Sequence, residues 1–329
     1  MASPGAHCWF DIDMAKTDAS LAFVFPGQGS QSVGMLADLA AAHPDIQETF
    51  AEAGAALGID LWRMTQAGPE NELNLTTNTQ PALLAAAVAT WRAWHAAGGA
   101  TPALLSGHSL GEYSALVCAG SLRLDDCVRL VAERGRCMQN AVPAGSGGMA
   151  AILGLDDQAV VAACAEAAGK EIVAAVNFNA PGQVVIAGHR SAVDRAIEAA
   201  KARGAKRAIA LPVSVPSHCA LMLPAAEAFR VLLDRVPFAD ATIPVVQNVD
   251  AVARQESAAL RAALILQLSS PVRWVDCVGT LASLGARCIT ECGPGKILSG
   301  LIKRIDGSLQ VNAIGEPSGF SAALSRGQT

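Results

Sequence analysis

A serine between two glycines is the first feature of this sequence that could do chemistry. Residues 107–111 read Gly-His-Ser-Leu-Gly, which fits GxSxG, and a short apolar run at 103–106 precedes them. This order predicts a strand, a sharp turn and a helix, the setting in which a nucleophile elbow exposes a serine hydroxyl. Glycines flank Ser109 because so tight a turn leaves no room for side chains near the hydroxyl. The alternative is an ordinary strand-to-helix turn, since the five residues alone often arise by chance.

A serine nucleophile needs a base, and histidine suits that role because its unperturbed pKa is about 6.5. Five of the six histidines lie in the first 20 residues, at predicted element ends or beside the serine; they are His7, His43, His95, His108 and His189. The sixth, His218, lies in an aperiodic loop and follows Ser109 in the serine-then-histidine order of hydrolase-like folds. The residues alone leave His218 either the base or a buried structural histidine.

Arg134 interrupts the apolar face of a helix predicted over 124–141. Its neighbours at helical spacing are Cys127, Leu130, Val131 and Met138, and a guanidinium among such residues requires a partner. One interpretation is a fork that holds a substrate carboxylate by two parallel hydrogen bonds. The alternatives are a pair with a structural acidic residue, or a side chain whose charged end reaches solvent past its apolar stem.

The glycine-rich loop at 26–31, Pro-Gly-Gln-Gly-Ser-Gln, follows the apolar run at 21–25. It matches neither GxGxxG nor a Walker loop, so it does not indicate phosphate binding. Its glycines would let backbone N–H groups approach a reacting oxygen at the carboxyl end of a strand, where open α/β sheets bind ligands. A purely structural turn fits the same residues equally well.

Strands alternate with helices along most of the chain, which predicts an α/β fold with a parallel sheet covered by helices. An Ala-rich helix over 81–97 is predicted to begin at Pro81. After the glycine-rich stretch at 145–148 the order becomes βαββαβ, the ferredoxin-like arrangement. The predicted parts begin with an N-terminal extension at 1–20, in which Met14 is an alternative start. A large hydrolase-like domain follows at 21–144 and 214–316, interrupted by an inserted small ferredoxin-like subdomain at 145–213. A C-terminal tail is predicted at 317–329.

Composition and charge exclude several classes of protein. The 329 residues carry a formal net charge of −5, so no excess of Lys and Arg is present to neutralise nucleic-acid or membrane-surface phosphates. No apolar run approaches the roughly 20 residues that span a bilayer. The nine cysteines are scattered, with no CxxC pair and no metal-ligand spacing. The sequence therefore predicts a cytoplasmic protein with reduced cysteines, no metal, and no nucleic-acid or membrane partner.

Several motifs in a fixed order make the chain similar to one enzyme family. They are PGQGSQ at 26–31, TQPAL at 79–83, GHSLGEYSAL at 107–116, the Arg134-Gly135 pair, NFNAPGQVVIAG at 177–188, VPSH at 215–218 and GPGK at 293–296. With this set, which runs from about Leu21 to Glu316, the chain resembles the malonyl-CoA:acyl carrier protein transacylases of bacterial type II fatty-acid synthesis.

The resemblance implies a ping-pong transfer of malonyl from malonyl-CoA to the pantetheine thiol of acyl carrier protein. Ser109 would carry the malonyl ester, His218 would be its base, and Arg134 would grip the free malonyl carboxylate. No cofactor is implied, because coenzyme A enters as part of the substrate.

The same resemblance implies supporting roles. The backbone N–H groups of Gln28 and Leu110 would form an oxyanion hole. The main-chain carbonyl at Gln267 would orient the histidine in place of a triad Asp, and Gln267 is counted with Arg134 among the substrate-binding residues. An acidic carrier protein must meet local positive charge on this net negative chain, for which we expect the pairs at 206–207 and 303–304, Lys-Arg in each case. Ordinary solvated surface residues are the alternative there.

Other functions stay open at this stage. The Val-Pro-Ser before His218 matches free-standing enzymes, whereas transferase domains of modular polyketide synthases often carry an aromatic or Ala-Phe pair there. The nearest rivals are the malonyl transferase of malonate decarboxylase and a trans-acting polyketide partner. A serine hydrolase is a second rival, against which Arg134 and the absence of a triad Asp count. A catalytically silent docking subunit is a third, which the intact Ser109, His218 and Arg134 argue against.

Overall fold

The computed structural model describes residues 16–213 and 215–326, and its larger sheet has six strands. In spatial order these are Gln310–Ala313 (β10), Cys288–Glu291 (β9), Thr17–Phe25 (β1), Thr101–Gly107 (β2), Val245–Val246 (β7) and Ala253–Arg254 (β8). All neighbours pair in parallel except β7 and β8, which pair antiparallel. The strands β1 and β2 therefore lie at the centre, and their carboxyl ends lead into the glycine-rich loop and the GxSxG turn.

Helices cover both faces of this sheet. They are Ala37–Ala42 (α1), Asp45–Leu57 (α2), Leu61–Ala67 (α3), Glu70–Leu73 (α4), Thr76–Ala96 (α5), Gly111–Cys118 (α6), Leu124–Asn140 (α7), Leu223–Leu233 (α10), Ser257–Gln267 (α11), Trp274–Ser283 (α12), Ile297–Ile305 (α13) and Pro317–Arg326 (α14), with a 3₁₀ turn at Ala220–Met222. Side chains of β1 alternate between two cores: Phe23 and Phe25 pack on the α5 side, Ala22 and Val24 on the α12 side. Burial on both faces is typical of a central parallel strand.

A second sheet has four antiparallel strands in the order β4-β5-β3-β6, formed by Val173–Ala180 (β4), Gln183–His189 (β5), Gly147–Leu153 (β3) and Arg207–Ala210 (β6). Two helices, Asp157–Ala168 (α8) and Arg190–Ala202 (α9), pack against it around a separate core. This order of strands and helices is the ferredoxin-like one. The predicted fold class is confirmed, while the division into domains stays a prediction.

The helix predicted to begin at Pro81 begins five residues earlier, at Thr76, so that Pro81 lies inside α5. The start is fixed by residues before the proline: Asn78 and Thr79 donate backbone N–H groups to Leu75 O, and the Thr79 hydroxyl donates to Leu73 O at 2.6 Å. Pro81 stands just beyond the first turn, where it removes one backbone donor without ending the helix. The proline was therefore the wrong marker of the helix start.

Both predicted end segments contain residues that belong to helices or strands of the larger fold. The predicted tail at 317–329 is a helix, α14, over its described part, because Phe320 is only 2% exposed and packs edge-on against Trp94 at 5.8 Å. The predicted extension at 1–20 overlaps β1, which begins at Thr17. Residues 1–15, including Met14, and residues 327–329 lie outside the described residues.

The strand β6 ends at Ala210, and β7 has only two residues. Within the described ranges, no helix has the combination of length and apolar character needed to cross a bilayer. The eight cysteines in that part of the chain are all free thiols.

Candidate active site

Ser109 lies in the turn between β2 and α6, with a left-handed backbone at φ 52°. The flanking glycines are required by packing. A Cβ on Gly107 would lie 2.0 Å from the carbonyl carbon of Gly111, and a Cβ on Gly111 would lie 2.0 Å from the Phe25 carbonyl oxygen. The predicted strand, sharp turn and helix are therefore present, and the serine hydroxyl lies at the amino-terminal end of a helix, where partial positive charge favours a developing anion.

His218 is in hydrogen-bonding contact with this serine. Its Nε2 lies 2.8 Å from Ser109 Oγ, and its Nδ1 lies 2.8 Å from the backbone carbonyl oxygen of Gln267. A carbonyl only accepts, so in the neutral ring Nδ1 carries the proton and Nε2 accepts from the serine hydroxyl. No acidic side chain in the described part of the chain hydrogen-bonds to this ring, and the carbonyl occupies the place of a triad Asp.

The imidazole of His218 is 3% exposed. Burial is the largest cause, and the charge of Arg134 the next, of a pKa lowered to about 3. Both causes disfavour a second positive charge in the same dry site. His218 is therefore neutral, and free to accept a proton, across the physiological pH range.

Arg134, on α7, is fully buried and has only neutral hydrogen-bond partners among the described residues. Its Nη1 donates to Gln80 Oε1 at 3.0 Å, and its Nη2 donates to Gln267 Oε1 at 3.0 Å and to Ser109 Oγ at 3.2 Å. Its guanidinium carbon also lies 5.2 Å from the centre of the Tyr113 ring. Within the described ranges no acidic side chain hydrogen-bonds to Arg134 and the side chain has no exit to solvent, although the buried carboxyl of Glu112 interacts with it electrostatically.

The side chain of Gln267 contacts two members of this group. In addition to the Arg134 contact, its Nε2 donates to the backbone carbonyl oxygen of Ser109 at 3.0 Å. Gln267 thus touches the serine, the histidine and the arginine at once, through both its backbone and its amide. The residue lies at the end of α11 and is 1% exposed.

Gln80, which the sequence patterns assign no role, is fully buried on α5. Besides accepting from Arg134, it approaches Gln28 Oε1 through its Nε2 at 3.4 Å. The sequence gives no clear signal for this residue, because four polar residues at 76–79 precede Gln80 and Pro81 follows it, which places it before the predicted helix start.

Gln28 and Leu110 both border the elbow. Gly27 brings the loop close, because its Cβ position would lie 2.4 Å from the carbonyl oxygen of His108, a spacing only glycine allows. Neither the Gln28 nor the Leu110 backbone N–H has an acceptor among the residues that the structure describes. Two free donors beside Ser109 are what an oxyanion hole requires.

His108 does not contact Ser109 through its ring. Its Nε2 bonds to Asn179 Oδ1 of β4 at 2.8 Å, and the ring packs near Trp274. Burial lowers its pKa. Its contacts join the elbow to the smaller sheet, as expected for a side chain that the sharp turn directs elsewhere.

Metal binding has no support in the described part of the chain, where no three His, Cys, Asp or Glu side chains come together in a way that would hold an ion. The polar groups at the elbow are a hydroxyl, an imidazole, a guanidinium and amides. These are the parts of acyl transfer by covalent catalysis, in which a histidine activates a serine and N–H donors stabilise the oxyanion.

The chain belongs to the acyl transferase domain family, whose sequence profile matches residues 22–298. It is 59% identical over 305 residues to the malonyl CoA-acyl carrier protein transacylase of Salmonella typhimurium, an alignment that covers 93% of this chain and 99% of that protein. The resemblance drawn from the motifs is thereby confirmed.

Solved structures of transacylases share the fold of this chain. The crystal structure of malonyl-CoA:acyl carrier protein transacylase from Xanthomonas oryzae is 55% identical, with a TM-score of 0.93 over 94% of this chain and 99% of that one. A malonyl-transacylase solved in complex with its type II polyketide acyl-carrier protein is 53% identical, with a TM-score of 0.92 over 93% of this chain and 99% of that one.

Proposed function

We propose that this chain transfers a malonyl group from malonyl-CoA to the pantetheine thiol of acyl carrier protein, through a malonyl ester of Ser109. The observation that carries the proposal is the setting of Arg134, a fully buried cation with neutral partners only, 3.2 Å from the Ser109 hydroxyl. A buried cation with no hydrogen-bonded anion is costly, so the site is complementary to an acyl group that ends in an anion. Malonyl is such a group, and acetyl is not.

In the first half-reaction, His218 Nε2 takes the hydroxyl proton of Ser109 while Oγ attacks the thioester carbon. The negative charge moves to the thioester oxygen, where the Gln28 and Leu110 N–H groups would stabilise it, each worth about 3 kcal/mol in the transition state. The carbon–sulfur bond then breaks, and the coenzyme A sulfur leaves with the proton held by His218. The product is the malonyl ester of Ser109.

In the second half-reaction, the pantetheine thiol gives its proton to His218 and attacks the ester carbon. The bond to Ser109 Oγ breaks, and the serine oxygen takes the proton back from His218. Each half-reaction leaves the histidine neutral, as its lowered pKa favours. The reaction needs no cofactor beyond the coenzyme A of the substrate, and a cytoplasmic location stays a prediction.

Gln80 and Gln267 would hold the guanidinium in place for the substrate. Both accept from Arg134 at 3.0 Å, from opposite terminal nitrogens. A fork fixed in this way loses little freedom when a carboxylate arrives, which favours bidentate recognition. In this proposal Gln267 contributes to substrate binding through Arg134, in addition to orienting His218 through its carbonyl.

Docking of the carrier protein would use the two Lys-Arg pairs, which border one turn of the smaller sheet. Arg304 donates to Pro181 O at 3.2 Å and to the Gln183 side chain. The stem of Lys206 lies against Gly154, so close that a Cβ on Gly154 would collide with it. Gly154 in turn donates its backbone N–H to the carbonyl oxygen of Gly182, which follows Pro181 in the turn, at 2.8 Å. Together they form a basic surface suited to an acidic partner.

The first test is intact-protein mass spectrometry after brief exposure to malonyl-CoA. We expect a malonyl adduct on the wild type and on Ser114→Ala, a matched control at another buried serine, but none on Ser109→Ala. The adduct should persist without carrier protein and disappear when it is added. Rapid loss to water would instead identify a hydrolase, and no adduct at all would identify a docking subunit.

The second test is charge reversal at the basic surface. Lys206→Glu combined with Lys303→Glu should raise the KM for carrier protein about tenfold or more and leave serine malonylation by malonyl-CoA near wild type. Arg63→Glu with Arg235→Glu, at exposed positions on α3 and just after α10, is the control. Arg304 is left intact because it holds the turn. Equal losses in both half-reactions would remove the docking proposal.

A further inference from the structure

Asn248 is a buried residue that joins both sides of the serine turn, and neither the motif nor the proposed reaction assigns it a role. It follows β7, the strand next to β2, and is fully buried. Its Oδ1 accepts from the Ser109 backbone N–H at 2.7 Å, and its Nδ2 donates to the Gly107 carbonyl oxygen at 2.7 Å. One amide side chain thus fixes the residue before the turn and the serine itself.

These two contacts require an amide at this position. The Ser109 N–H needs an acceptor and the Gly107 carbonyl needs a donor, and Asn supplies both from one short side chain. The serine backbone is left-handed, at φ 52°, a conformation that non-glycine residues keep only where their surroundings hold them there. Asn248 is one of the groups that hold it.

Asn248 is itself held by the helix that follows the serine. Its backbone N–H donates to Glu112 Oε2 at 2.7 Å, and Glu112 lies in the first turn of α6, fully buried. The strand end, the turn and the helix start are therefore joined through one loop residue. A shift of that loop would move the Ser109 hydroxyl relative to His218 Nε2, which lies 2.8 Å away.

We propose that Asn248 is the positioning residue of the nucleophile, which keeps Ser109 Oγ aimed at His218 and at the thioester carbon. The inference rests on the proposed function, in which Ser109 is the group that becomes acylated. Asn248 would act through the serine backbone and touch no substrate. Its removal should therefore lower the rate of ester formation at saturating malonyl-CoA while the affinity for malonyl-CoA, set by Arg134, changes little.

The experiment compares Asn248→Ala and Asn248→Asp with Asn312→Ala, a partly buried asparagine on β10. Rapid-quench mass spectrometry measures the rate of malonyl-Ser109 formation over a range of malonyl-CoA concentrations, and circular dichroism gives the folded fraction. We expect Asn248→Ala to lose about 100-fold in the saturating rate with KM within threefold, since a 1 Å misplacement costs about that much. Asn248→Asp keeps the acceptor for Ser109 N–H and should lose less, and Asn312→Ala should match the wild type.

Several outcomes would overturn the inference. They are an unchanged saturating rate in folded Asn248→Ala, a loss that only follows the folded fraction, a loss confined to KM, and failure of both variants to fold, which would make the residue purely structural. A wild type that never labels at Ser109 would refute the proposed function instead. The two failures are thus distinguishable in one series of measurements.

Discussion

Replacing Arg134 by Ala is the most direct test of how this site chooses its acyl group. The guanidinium is fully buried and its three hydrogen-bond acceptors are neutral, so a bound carboxylate would be its one strong partner. Without the arginine, a malonyl carboxylate would be buried with no cation. Breaking a buried pair in this way costs about 3–5 kcal/mol. At about 1.4 kcal/mol per decade, this predicts a fall in kcat/KM for malonyl-CoA of about 100-fold to a few thousand-fold.

The acetyl group has no carboxylate, so the same substitution removes no contact with the acyl group and only the contact with the Ser109 hydroxyl. We expect kcat/KM for acetyl-CoA to change less than tenfold, which makes the ratio of the two substrates the decisive quantity. Arg134→Lys should lie between the wild type and Arg134→Ala, because it keeps the charge but loses the two-pronged fork. Arg136→Ala, at an exposed position two residues along α7, is the matched control and should leave the ratio unchanged.

The assay is serine labelling by the two thioesters, followed by mass spectrometry at short times, with urea unfolding of each variant. The unfolding curve gives the folded fraction of each variant, because Arg134→Ala also leaves the buried Gln80 and Gln267 side-chain oxygens without their donor. A parallel loss of labelling by both thioesters would refute the argument. It would mean that Arg134 supports the Ser109 hydroxyl and does not select the acyl group by binding its carboxylate.

Three further predictions concern pH. Because burial first and the Arg134 charge second lower the pKa of His218 to about 3, malonyl-Ser109 formation should show no loss near pH 6.5 as the pH falls from 8 to 5; a midpoint near 6.5 in rapid-quench rates would contradict this. The unfolded state takes up a proton on His218 near pH 6.5, whereas the folded state does not. The free energy of unfolding should therefore fall as the pH drops from 6.5 towards 3, by up to about 1.4 kcal/mol per pH unit. The variant His218→Gln should lack this fall. Glu112 has the opposite sign: burial raises its pKa from 4.5 to about 7, so its stability contribution is complete below pH 4.5 and is lost as the pH rises through 7. Urea unfolding of Glu112→Gln from pH 4 to 8 should lack that loss, and an unchanged pH profile would show that the carboxyl titrates normally.

Parts of the site could be predicted from the sequence where a single residue is unusual among its neighbours in the chain. The GxSxG turn is recognisable in the sequence because only glycine fits at the two positions flanking the serine turn, as the contacts at Gly107 and Gly111 show. Arg134 was visible because a charged side chain on an apolar helix face conflicts with the local pattern. The ferredoxin-like sheet followed from the order of its elements, and its strand order agrees.

Residues whose importance comes from long-range contacts were not visible in this way. Asn248 meets Ser109 across 139 positions of sequence, and nothing around it in the chain distinguishes it from other loop asparagines. The role of His218 is likewise not evident from the residues alone, because its loop has no periodic pattern that would show where the side chain points. Pro81 indicates too late a start for α5, because the first turn is fixed by contacts with Leu73, at the end of α4, and with Leu75.

The positions of Arg134 and His218 around one oxygen connect acyl choice to the chemistry of the proposed reaction. Both side chains contact Ser109 Oγ, the guanidinium at 3.2 Å and the imidazole at 2.8 Å. The arginine charge is the second cause of the lowered His218 pKa, after burial. A carboxylate bound to Arg134 would offset that charge, so the histidine would become a stronger base when a malonyl group is bound and not when an acetyl group is bound. Selectivity would then act on the proton transfer as well as on binding, through the same buried cation.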